Sequence, residues 1–301
     1  MLRKMMLLTT LTLAALLLGA CGASFDFNPF TAEETVTQSF NTDGTTHLVV
    51  EMFNGGVDVV ASDAVTGGDN FVKVDVVKRG GGFSQQEAQD DLKNVEVTMQ
   101  QDGSTIRVVA RRTDQRVDIG NSGASARLRV PAGTTLDLRA SNGAITSAGA
   151  VGSVKADTSN GAIDVRGAAG PLNLVTSNGA VTIDGGSGSL NAETSNGAIN
   201  VTAENVTFTG RTSNGFVRFN GTLAPGRSQL DTSNGGIVVT LPGSAQFLVN
   251  ADTSNAKINS EFAVTAQNFS DNELHGTVGV DPAVSLELHT SNGGINLRKS
   301  E

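Results

Sequence analysis

The chain has 301 residues, with 36 glycines, six prolines, a hydrophobic content of 38% and a formal net charge of −9 at pH 7. This acidity makes nucleic acid a poor partner, and it disfavours binding to anionic lipid through a basic patch. Cys21 is the single cysteine, so the chain cannot form an internal disulfide or a zinc–thiolate cluster.

Residues 1–20 have the features of a targeting segment. Arg3 and Lys4 give the segment a charged start, residues 5–18 are apolar, and small residues lead into Cys21. This pattern resembles a bacterial lipoprotein signal, in which the cysteine is acylated and becomes the mature N-terminus. Two alternatives are an ordinary secretory signal followed by a chance cysteine, and a transmembrane anchor. The apolar run falls short of the about 20 residues that a membrane span needs.

The lipoprotein pattern predicts where the protein is found. We expect an exported protein, anchored to the cell membrane or the outer membrane by lipid on Cys21, with a tether over residues 21–34. Loss of the two leader cations would leave 21 − 2 = 19 basic and 30 acidic residues, a net charge of −11. Lipid chains rather than surface charge would then hold the protein at the membrane.

Residues 35–141 form the less regular N-terminal β part. Strand-like runs recur at residues 71–77, 95–99 and 106–110, and residues 48–59 already follow the pattern of the later repeats. Between the runs, the segment Ser84-Gln85-Gln86-Glu87 has the form of a capping box. This segment predicts a short helix over residues 84–93.

Residues 142–301 are organised around a repeated Ser-Asn dipeptide, which glycine follows in seven of eight copies. The eight asparagines are separated by 18, 18, 18, 18, 20, 21 and 37 residues: Asn142, Asn160, Asn178, Asn196, Asn214, Asn234, Asn255 and Asn292. A nearly constant period of this kind indicates a repeat architecture.

Within each repeat, apolar residues alternate with polar ones. Counting from the asparagine as zero, positions −6, −4 and −2 are mostly apolar or threonine, while position +3 is always Ile or Val. Period-two alternation is typical of half-buried strands. Each repeat therefore predicts a strand, an Asn-Gly corner, a second strand and a loop.

Two folds fit this order of elements, because Asn-Gly between alternating strands is also a signal for a β-hairpin. Antiparallel hairpins would form a meander or a closed barrel, in which equivalent corners hardly touch. In a parallel β-solenoid of about 18 residues per coil, equivalent residues stack about 4.8 Å apart. Only stacking rewards identical asparagines and threonines, whose side chains can hydrogen-bond along a column. The identity of the corners therefore favours the parallel β-solenoid.

The solenoid model makes more detailed predictions. We expect each corner glycine to supply a positive φ, so Ala256 after Asn255 marks a strained or different corner. A degenerate coil with its corner at His275 would fill the interval between the last two asparagines. Outward position −3 would place Arg211 between Glu193 and Asp231. Outward position +4 would align Asp164, Thr182, Asn200 and Arg218 in a second column.

The residue pattern contains no recognisable chemistry. We assign no catalytic, cofactor-binding or metal-binding residues, since acidic residues are scattered and the three histidines lack metal-ligand spacing. Sugar-cleaving β-helices usually carry aromatic platforms, whereas this chain has no Trp and no Tyr. We therefore expect a protein that is not an enzyme and needs no cofactor.

The repeats resemble a bacterial family of envelope proteins named putative adhesins. The resemblance is carried by the opening Asn54-Gly55-Gly56-Val57-Asp58-Val59, the glycine-broken residues 78–82 with the following helix, and the Thr-Ser-Asn-Gly-Ala-Ile repeats. It covers nearly the whole mature chain and implies a β-strand-repeat fold, related in pattern to the head domains of autotransporter adhesins. It implies adhesion as the function, without any family catalytic residue to carry over.

These observations favour a lipid-anchored binding or adhesion module whose partner is an unidentified protein or surface ligand. One alternative is a structural scaffold that self-assembles end to end. Another is an accessory protein of envelope-stress sensing. The sequence does not distinguish these three functions by any specific motif.

Overall fold

The computed structural model describes residues 30–62, 70–114 and 122–300. Within these ranges the chain forms 24 β-strands and one α-helix. Cys21 and the targeting segment before it lie outside the described residues, so the lipid anchor stays a prediction.

Seven strands and the helix precede the regular repeats. Strand β1 begins at Phe30, so residues 30–34, which we expected in the tether, belong to the β body instead. The helix forms where the capping box predicts it: the Ser84 side chain accepts a hydrogen bond from the Glu87 N–H. The elements are β1 (Phe30–Asn41), β2 (His47–Met52), β3 (Val57–Ala61), β4 (Phe71–Gly82), α1 (Gln85–Leu92), β5 (Val95–Asp102), β6 (Thr105–Arg112) and β7 (Gly123–Val130).

Each regular repeat contributes one strand before its Ser-Asn corner and one after it. We call the strands before the corners the front sheet and those after the corners the back sheet; the long strand β15 belongs to both. The strands are β8 (Thr135–Ala140), β9 (Ile145–Ala148), β10 (Val154–Thr158), β11 (Ile163–Arg166), β12 (Leu172–Thr176), β13 (Val181–Asp184), β14 (Gly188–Glu193), β15 (Ile199–Thr212), β16 (Val217–Leu223), β17 (Gly226–Thr232) and β18 (Ile237–Pro242).

Six further strands complete the C-terminal end: β19 (Phe247–Thr253), β20 (Ile258–Ser260), β21 (Thr265–Phe269), β22 (Glu273–Val278), β23 (Val284–Thr290) and β24 (Ile295–Ser300).

Successive repeats pair in parallel and in register. In the back sheet, Ile163 lies opposite Ile145 on one side and Val181 on the other, each 18 residues away. The front sheet shows the same shift, with Val154 opposite Leu172. The parallel β-solenoid of about 18 residues per coil is therefore confirmed, and the antiparallel meander or barrel is wrong for the repeats.

We call a front strand together with the back strand after its corner a rung. At both ends of the stack, the order of the rungs differs from their order in the chain. Strands β2 and β3 form a rung that lies between the β6/β7 rung and the β8/β9 rung. At the other end, β23 and β24 lie between the β17/β18 rung and the β19/β20 rung. The repeat of Asn292 is thus inserted between those of Asn234 and Asn255, which accounts for the long last interval.

The degenerate coil that we expected around His275 is wrong. Glu273–Val278 runs as one uninterrupted strand, antiparallel to β19, and β21 pairs with its other edge. Gly276 serves this packing rather than a corner, because a Cβ atom there would lie 2.6 Å from the Thr265 carbonyl oxygen. The His-Gly pair only imitates the Asn-Gly spacing.

Antiparallel strands and the helix cover the N-terminal end of the stack. Strand β5 pairs with β6, while β4 and then β1 extend the back sheet beyond β7. Helix α1 packs closely on β4 because Gly80 and Gly82 have no side chains; a Cβ on Gly80 would lie 2.5 Å from the Ala88 carbonyl oxygen. Terminal rungs of this kind protect the ends of repeat proteins.

The core lies between the front and back sheets, where inward positions −6, −4, +3 and +5 meet. Ile163 and Leu174 are examples, each at most 1% exposed. Burying one such side chain contributes about 1.5–3 kcal/mol. Phe208 and Phe219 stack with ring centroids 5.7 Å apart, and Gly210 leaves the space that the Phe208 ring fills.

Candidate functional site

One corner of the solenoid carries a row of nine asparagine side chains, which we call the asparagine ladder. At each step, Nδ2 of one asparagine donates to Oδ1 of the asparagine on its N-terminal side in the stack, over 2.5–2.8 Å. All eight asparagines of the Ser-Asn repeats lie in it, and Asn54 adds a ninth. In stack order the ladder runs Asn54, Asn142, Asn160, Asn178, Asn196, Asn214, Asn234, Asn292 and Asn255.

The ladder has a direction and faces solvent. Every Nδ2 points toward the N-terminal end, where Asn54 in turn donates to the Ser122 carbonyl oxygen over 3.3 Å. The asparagine side chains of the eight Ser-Asn repeats are exposed. Since an amide has two N–H donors and two acceptor lone pairs, the interior rungs keep hydrogen-bonding capacity for a partner or water.

The corner glycines are required by crowding between rungs, and the expected positive φ is wrong. None of the glycines that follow the ladder asparagines is among the positive-φ residues. Instead, a Cβ on Gly161 or Gly197 would lie 1.9 or 1.8 Å from the carbonyl oxygen of the glycine on the preceding rung. Contacts that short are impossible, so only glycine fits inside the stack.

A buried threonine at position −2 completes seven of the eight Ser-Asn corners; Ala140 takes its place before Asn142. Thr194 Oγ1 donates to the Gly179 carbonyl oxygen over 2.9 Å and accepts from the Gly197 N–H over 3.1 Å. The hydroxyl therefore joins one rung to the next and satisfies two backbone groups at once. The same pair of bonds recurs at Thr158, Thr176, Thr212, Thr232 and Thr290.

Ala256 occupies the glycine place in the outermost rung of the ladder. Asn255 still donates to Asn292 over 2.7 Å, and Thr253 still donates to the Gly293 carbonyl oxygen over 2.9 Å. The terminal corner therefore keeps both bonds to the preceding rung with alanine in the glycine place.

Outward position −3 of the front sheet forms a charged column. Arg211 lies between Glu193 and Asp231, 3.4 Å from a carboxylate oxygen of each, as the 18-residue register predicts. At the N-terminal end, Arg139 contacts Glu51, its −3 neighbour on the β2 rung, at 3.1 Å and Asp137 on its own strand at 3.2 Å. Exposed pairs of this kind contribute about 0–1 kcal/mol each.

Two histidines extend this column toward the C-terminal end. His289 lies at the −3 position between Asp231 and Asp252 in the register of the front sheet. His275, on the antiparallel strand β22, places Nε2 2.9 Å from Asp252 Oδ1. In the part of the chain that the structure describes, no group of three or more His, Cys, Asp or Glu residues is arranged to hold a metal ion.

A groove of about 480 Å³ runs along the front sheet beside the asparagine ladder. We call it the serine groove, because each of its five rungs contributes a serine at position −1: Ser177, Ser195, Ser213, Ser233 and Ser291. The charged column lines its other side with Glu193, Arg211, Asp231 and His289. The repeat geometry thus creates one continuous polar groove.

The back sheet presents a different surface on the opposite side of the ladder. The predicted +4 column is present, and Asp164, Thr182, Asn200 and Arg218 occupy paired positions on neighbouring strands. Between this column and the ladder lies a row of alanines at position +2: Ala144, Ala162, Ala180 and Ala198. The row ends at Phe216, which is 41% exposed and has the Arg218 guanidinium carbon 4.9 Å from its ring centroid.

A partly buried ionic network fastens helix α1 to the N-terminal end. Asp91 accepts hydrogen bonds from Arg112 Nη2 over 2.6 Å, from the Gly81 N–H over 2.9 Å and from the Ser122 hydroxyl. Burial opposes the charged form of Asp91, but these hydrogen bonds outweigh it and hold the pKa of Asp91 below its ordinary value. The network has a structural role and is not a reactive pair, since its groups are hydrogen-bonded to one another.

Sequence reasoning identified the ladder and the charged column but missed the serine groove and the Asp91 network. From the sequence, the serines are interpreted as corner residues. Whether they line a groove depends on how deep the surface is between two columns of side chains, and the spacing of the repeats does not give that depth. Asp91, Arg112 and Ser122 belong to no repeat, and the spacing between them gives no signal. No helix among the described residues has the length and apolar character that a membrane crossing requires.

Comparison with known structures gives matches of low identity. A putative cell adhesion protein from Clostridium sporogenes is 11% identical, with 89% of this chain and 100% of that chain covered and a TM-score of 0.25. A putative adhesin from Bacteroides fragilis is also 11% identical, with coverages of 88% and 97% and a TM-score of 0.38. A putative adhesin from Parabacteroides distasonis is 9% identical, with coverages of 88% and 97% and a TM-score of 0.29.

The family comparison is more informative. The chain matches none of the curated proteins compared with it. The model of the Toastrack DUF4097 family, however, matches residues 66–298, which include all eight Ser-Asn corners. The match spans more than half of the chain and agrees with the resemblance seen in the repeats. The chain therefore belongs to the Toastrack DUF4097 family.

Proposed function

We propose that this protein is an exported, lipid-anchored contact module of the cell envelope, which binds an extended partner and catalyses no reaction. One observation carries the proposal: the asparagine ladder, the serine groove and the +4 column all run parallel to the stack and repeat at every rung. A partner that lies along the corner would meet equivalent polar groups about every 4.8 Å.

The rigidity of the body supports binding by contact. Successive rungs are joined by backbone ladders, threonine hydroxyls and side-chain amides, so the polar columns are already in place before a partner arrives. A preorganised surface binds without the entropic cost of ordering its own side chains. A solenoid of this kind favours a long, shallow contact over capture of a small molecule.

End-to-end self-assembly has less support than contact with another molecule. A scaffold of that kind would stack one open end on the next, whereas antiparallel strands and helix α1 cover the N-terminal end of the stack. Antiparallel capping strands break the parallel register that a continuing stack would need. Light scattering over a concentration series tests this alternative, since a scaffold would grow in mass with concentration.

The anchor is tested by replacing Cys21 with serine. We expect the wild-type protein to fractionate with membranes and its mature N-terminal peptide to carry acyl chains in mass spectrometry. The Cys21→Ser protein should lose both properties. An unmodified wild-type N-terminus at another residue would contradict the lipid anchor while leaving the contact function open.

The contact function is tested on cells. Deletion of the gene should reduce attachment of intact cells to surfaces or to partner cells, and the wild-type gene should restore it. A Ser213→Trp variant, which fills the serine groove, should restore less attachment than the matched Thr202→Trp variant, which adds the same bulk at an exposed back-sheet position outside the +4 column. Equal attachment in the presence and absence of the protein would refute the proposal.

A further inference from the structure

We propose that the serine groove binds a single strand of a neutral polysaccharide that runs parallel to the stack of rungs. This inference rests on the proposed contact function and specifies the chemical class of its partner. It is carried by the length of the groove, its lining, its period, the pairing of its strands and its charge.

The groove has the dimensions of a site for a short stretch of polymer. Its five rungs extend over about 19 Å at the usual strand spacing, and its volume is about 480 Å³. A compact small ligand would contact only one or two rungs.

The lining suits a ligand rich in hydroxyl groups. Each rung offers a serine hydroxyl, which both donates and accepts. Arg211 is 49% exposed, and both of its carboxylate contacts are as long as 3.4 Å, so N–H donors of the guanidinium remain for a ligand. Carboxylates of Glu193 and Asp231 accept from hydroxyls, and together these groups can satisfy the alternating donors and acceptors of a sugar ring.

The period of the groove favours a polysaccharide over an extended peptide. Equivalent serines recur at each rung, about 4.8 Å apart, whereas a peptide strand presents equivalent side chains about 6.6–6.8 Å apart and falls out of step. In an extended β-1,4-linked chain each pyranose advances the chain by about one rung, and successive sugars face opposite ways. Equivalent hydroxyls therefore recur at about every second rung, and the same contacts can repeat along the groove.

The groove also lacks what an extended peptide would use for strand addition. Its strands β12, β14, β15, β17 and β23 each pair with a neighbouring strand on both sides. Their backbone N–H and C=O groups are already used within the sheet, so recognition there is by side chains. Peptides that add to a sheet need a free edge.

The charge of the serine groove distinguishes between neutral and anionic polysaccharides as partners. The groove holds two carboxylates, Glu193 and Asp231, against the single guanidinium of Arg211, and the whole chain carries a net charge of −9. An anionic polymer would be repelled by this field. The partner is therefore an uncharged sugar chain rather than a uronic-acid or phosphate-linked polymer.

The test uses the full processed chain in detergent, with cellohexaose and chitohexaose as neutral probes, hexagalacturonate as an anionic probe, and a twelve-residue Ser/Thr peptide. Calorimetry should show saturable binding of at least one neutral hexamer. Affinity should rise with each added sugar up to about five units, the number of rungs in the groove. Ser213→Trp and Arg211→Ala should each weaken binding about tenfold or more, the equivalent of one charged hydrogen bond.

Two matched variants serve as controls: Thr202→Trp adds the same bulk at an exposed back-sheet position outside the +4 column, and Arg166→Ala removes an arginine of the back sheet that is paired with Asp164 at 2.7 Å. Both should leave the affinity unchanged. The inference is overturned if neither neutral hexamer binds, if Ser213→Trp and Arg211→Ala leave binding intact, or if hexagalacturonate or the peptide binds more tightly in the groove. Loss of cell attachment on gene deletion, with no hexamer bound, would reject the polysaccharide and keep the contact function.

Discussion

Gly197 stacks directly on Gly179, and the Gly179 carbonyl oxygen lies 1.8 Å from the position that a Cβ of residue 197 would occupy. The same relationship recurs along the ladder, so the rungs approach one another at the corner more closely than any side chain permits. The Ser-Asn-Gly motif thus records a packing constraint between rungs that are 18 residues apart.

Gly197→Ala should consequently destabilise the protein. The new methyl group cannot move aside, because the atom it meets is backbone, so the two rungs must separate. We expect a loss of about 1–3 kcal/mol in the free energy of unfolding, the usual range for overpacking. Urea denaturation measures it. The control is Gly243→Ala, where the nearest atom to a Cβ is the flexible Lys299 side chain at 3.8 Å; equal stability of the two variants would contradict the stacking argument.

Thr194→Val tests the hydroxyl that joins the rungs. Valine keeps the shape of threonine, but the Gly179 carbonyl oxygen and the Gly197 N–H both lose their partner. Leaving buried polar groups unsatisfied costs about 1–3 kcal/mol. Thr202→Val, at an exposed position of the strand β15 that follows this corner, should change the stability little. If both variants unfold at the same urea concentration, the threonine bridge contributes nothing.

The asparagine ladder should show a difference between its middle and its end. Asn196 donates to Asn178 and accepts from Asn214, each over 2.7 Å, whereas Asn255 lies at the end of the ladder and donates to Asn292. Each hydrogen bond contributes about 0.5–1.5 kcal/mol net. Because water can replace the lost partners at this exposed corner, Asn196→Ala should cost about 1–2 kcal/mol and Asn255→Ala about half as much. Thermal unfolding of both variants, beside Asn220→Ala outside the ladder, provides the comparison.

The repeat made the fold predictable. Identical residues at a fixed interval are useful only if they touch, and position +3 is always Ile or Val because each rung buries it. The strands of the repeats and the pairing of Arg211 with Glu193 and Asp231 follow from that one register, whereas the helix after Ser84 follows from its own capping box. Local alternation and the period therefore determine the body of the solenoid.

The ends were not predictable in the same way. Strand β2 pairs with β6 and β8, and β23 enters between β17 and β19, so these pairings join segments with no repeated spacing. The role of the corner glycines was also ambiguous, since a positive φ and close backbone approach both select glycine. Only the distances between rungs distinguish these two causes.

The Asp91 network gives the N-terminal end a dependence on pH. Hydrogen bonds from Ser122, Gly81 and Arg112 overcome the cost of burial and hold the pKa of Asp91 below its ordinary value, which is about 3.9 in an unfolded chain. Between those two values the unfolded state binds more protons, so stability increases with pH. The contribution of Asp91 is complete above the unfolded pKa and is lost as the pH falls through the folded pKa.

Asp91→Asn removes this contribution and should therefore lower stability at neutral pH. The amide cannot form the charged pair with Arg112, whose guanidinium contacts Asp91 at 2.6 Å with both side chains about 15% exposed. Breaking a partly buried pair costs about 1–3 kcal/mol in such a setting. Urea denaturation between pH 2 and pH 7 should show the gap between wild type and variant closing as the pH falls below about 4. Asp43→Asn removes the same charge from an exposed loop and should leave no such gap at pH 7. A wild-type advantage that persists unchanged at pH 2 would mean that the ionised Asp91 carboxylate does not fasten the helix.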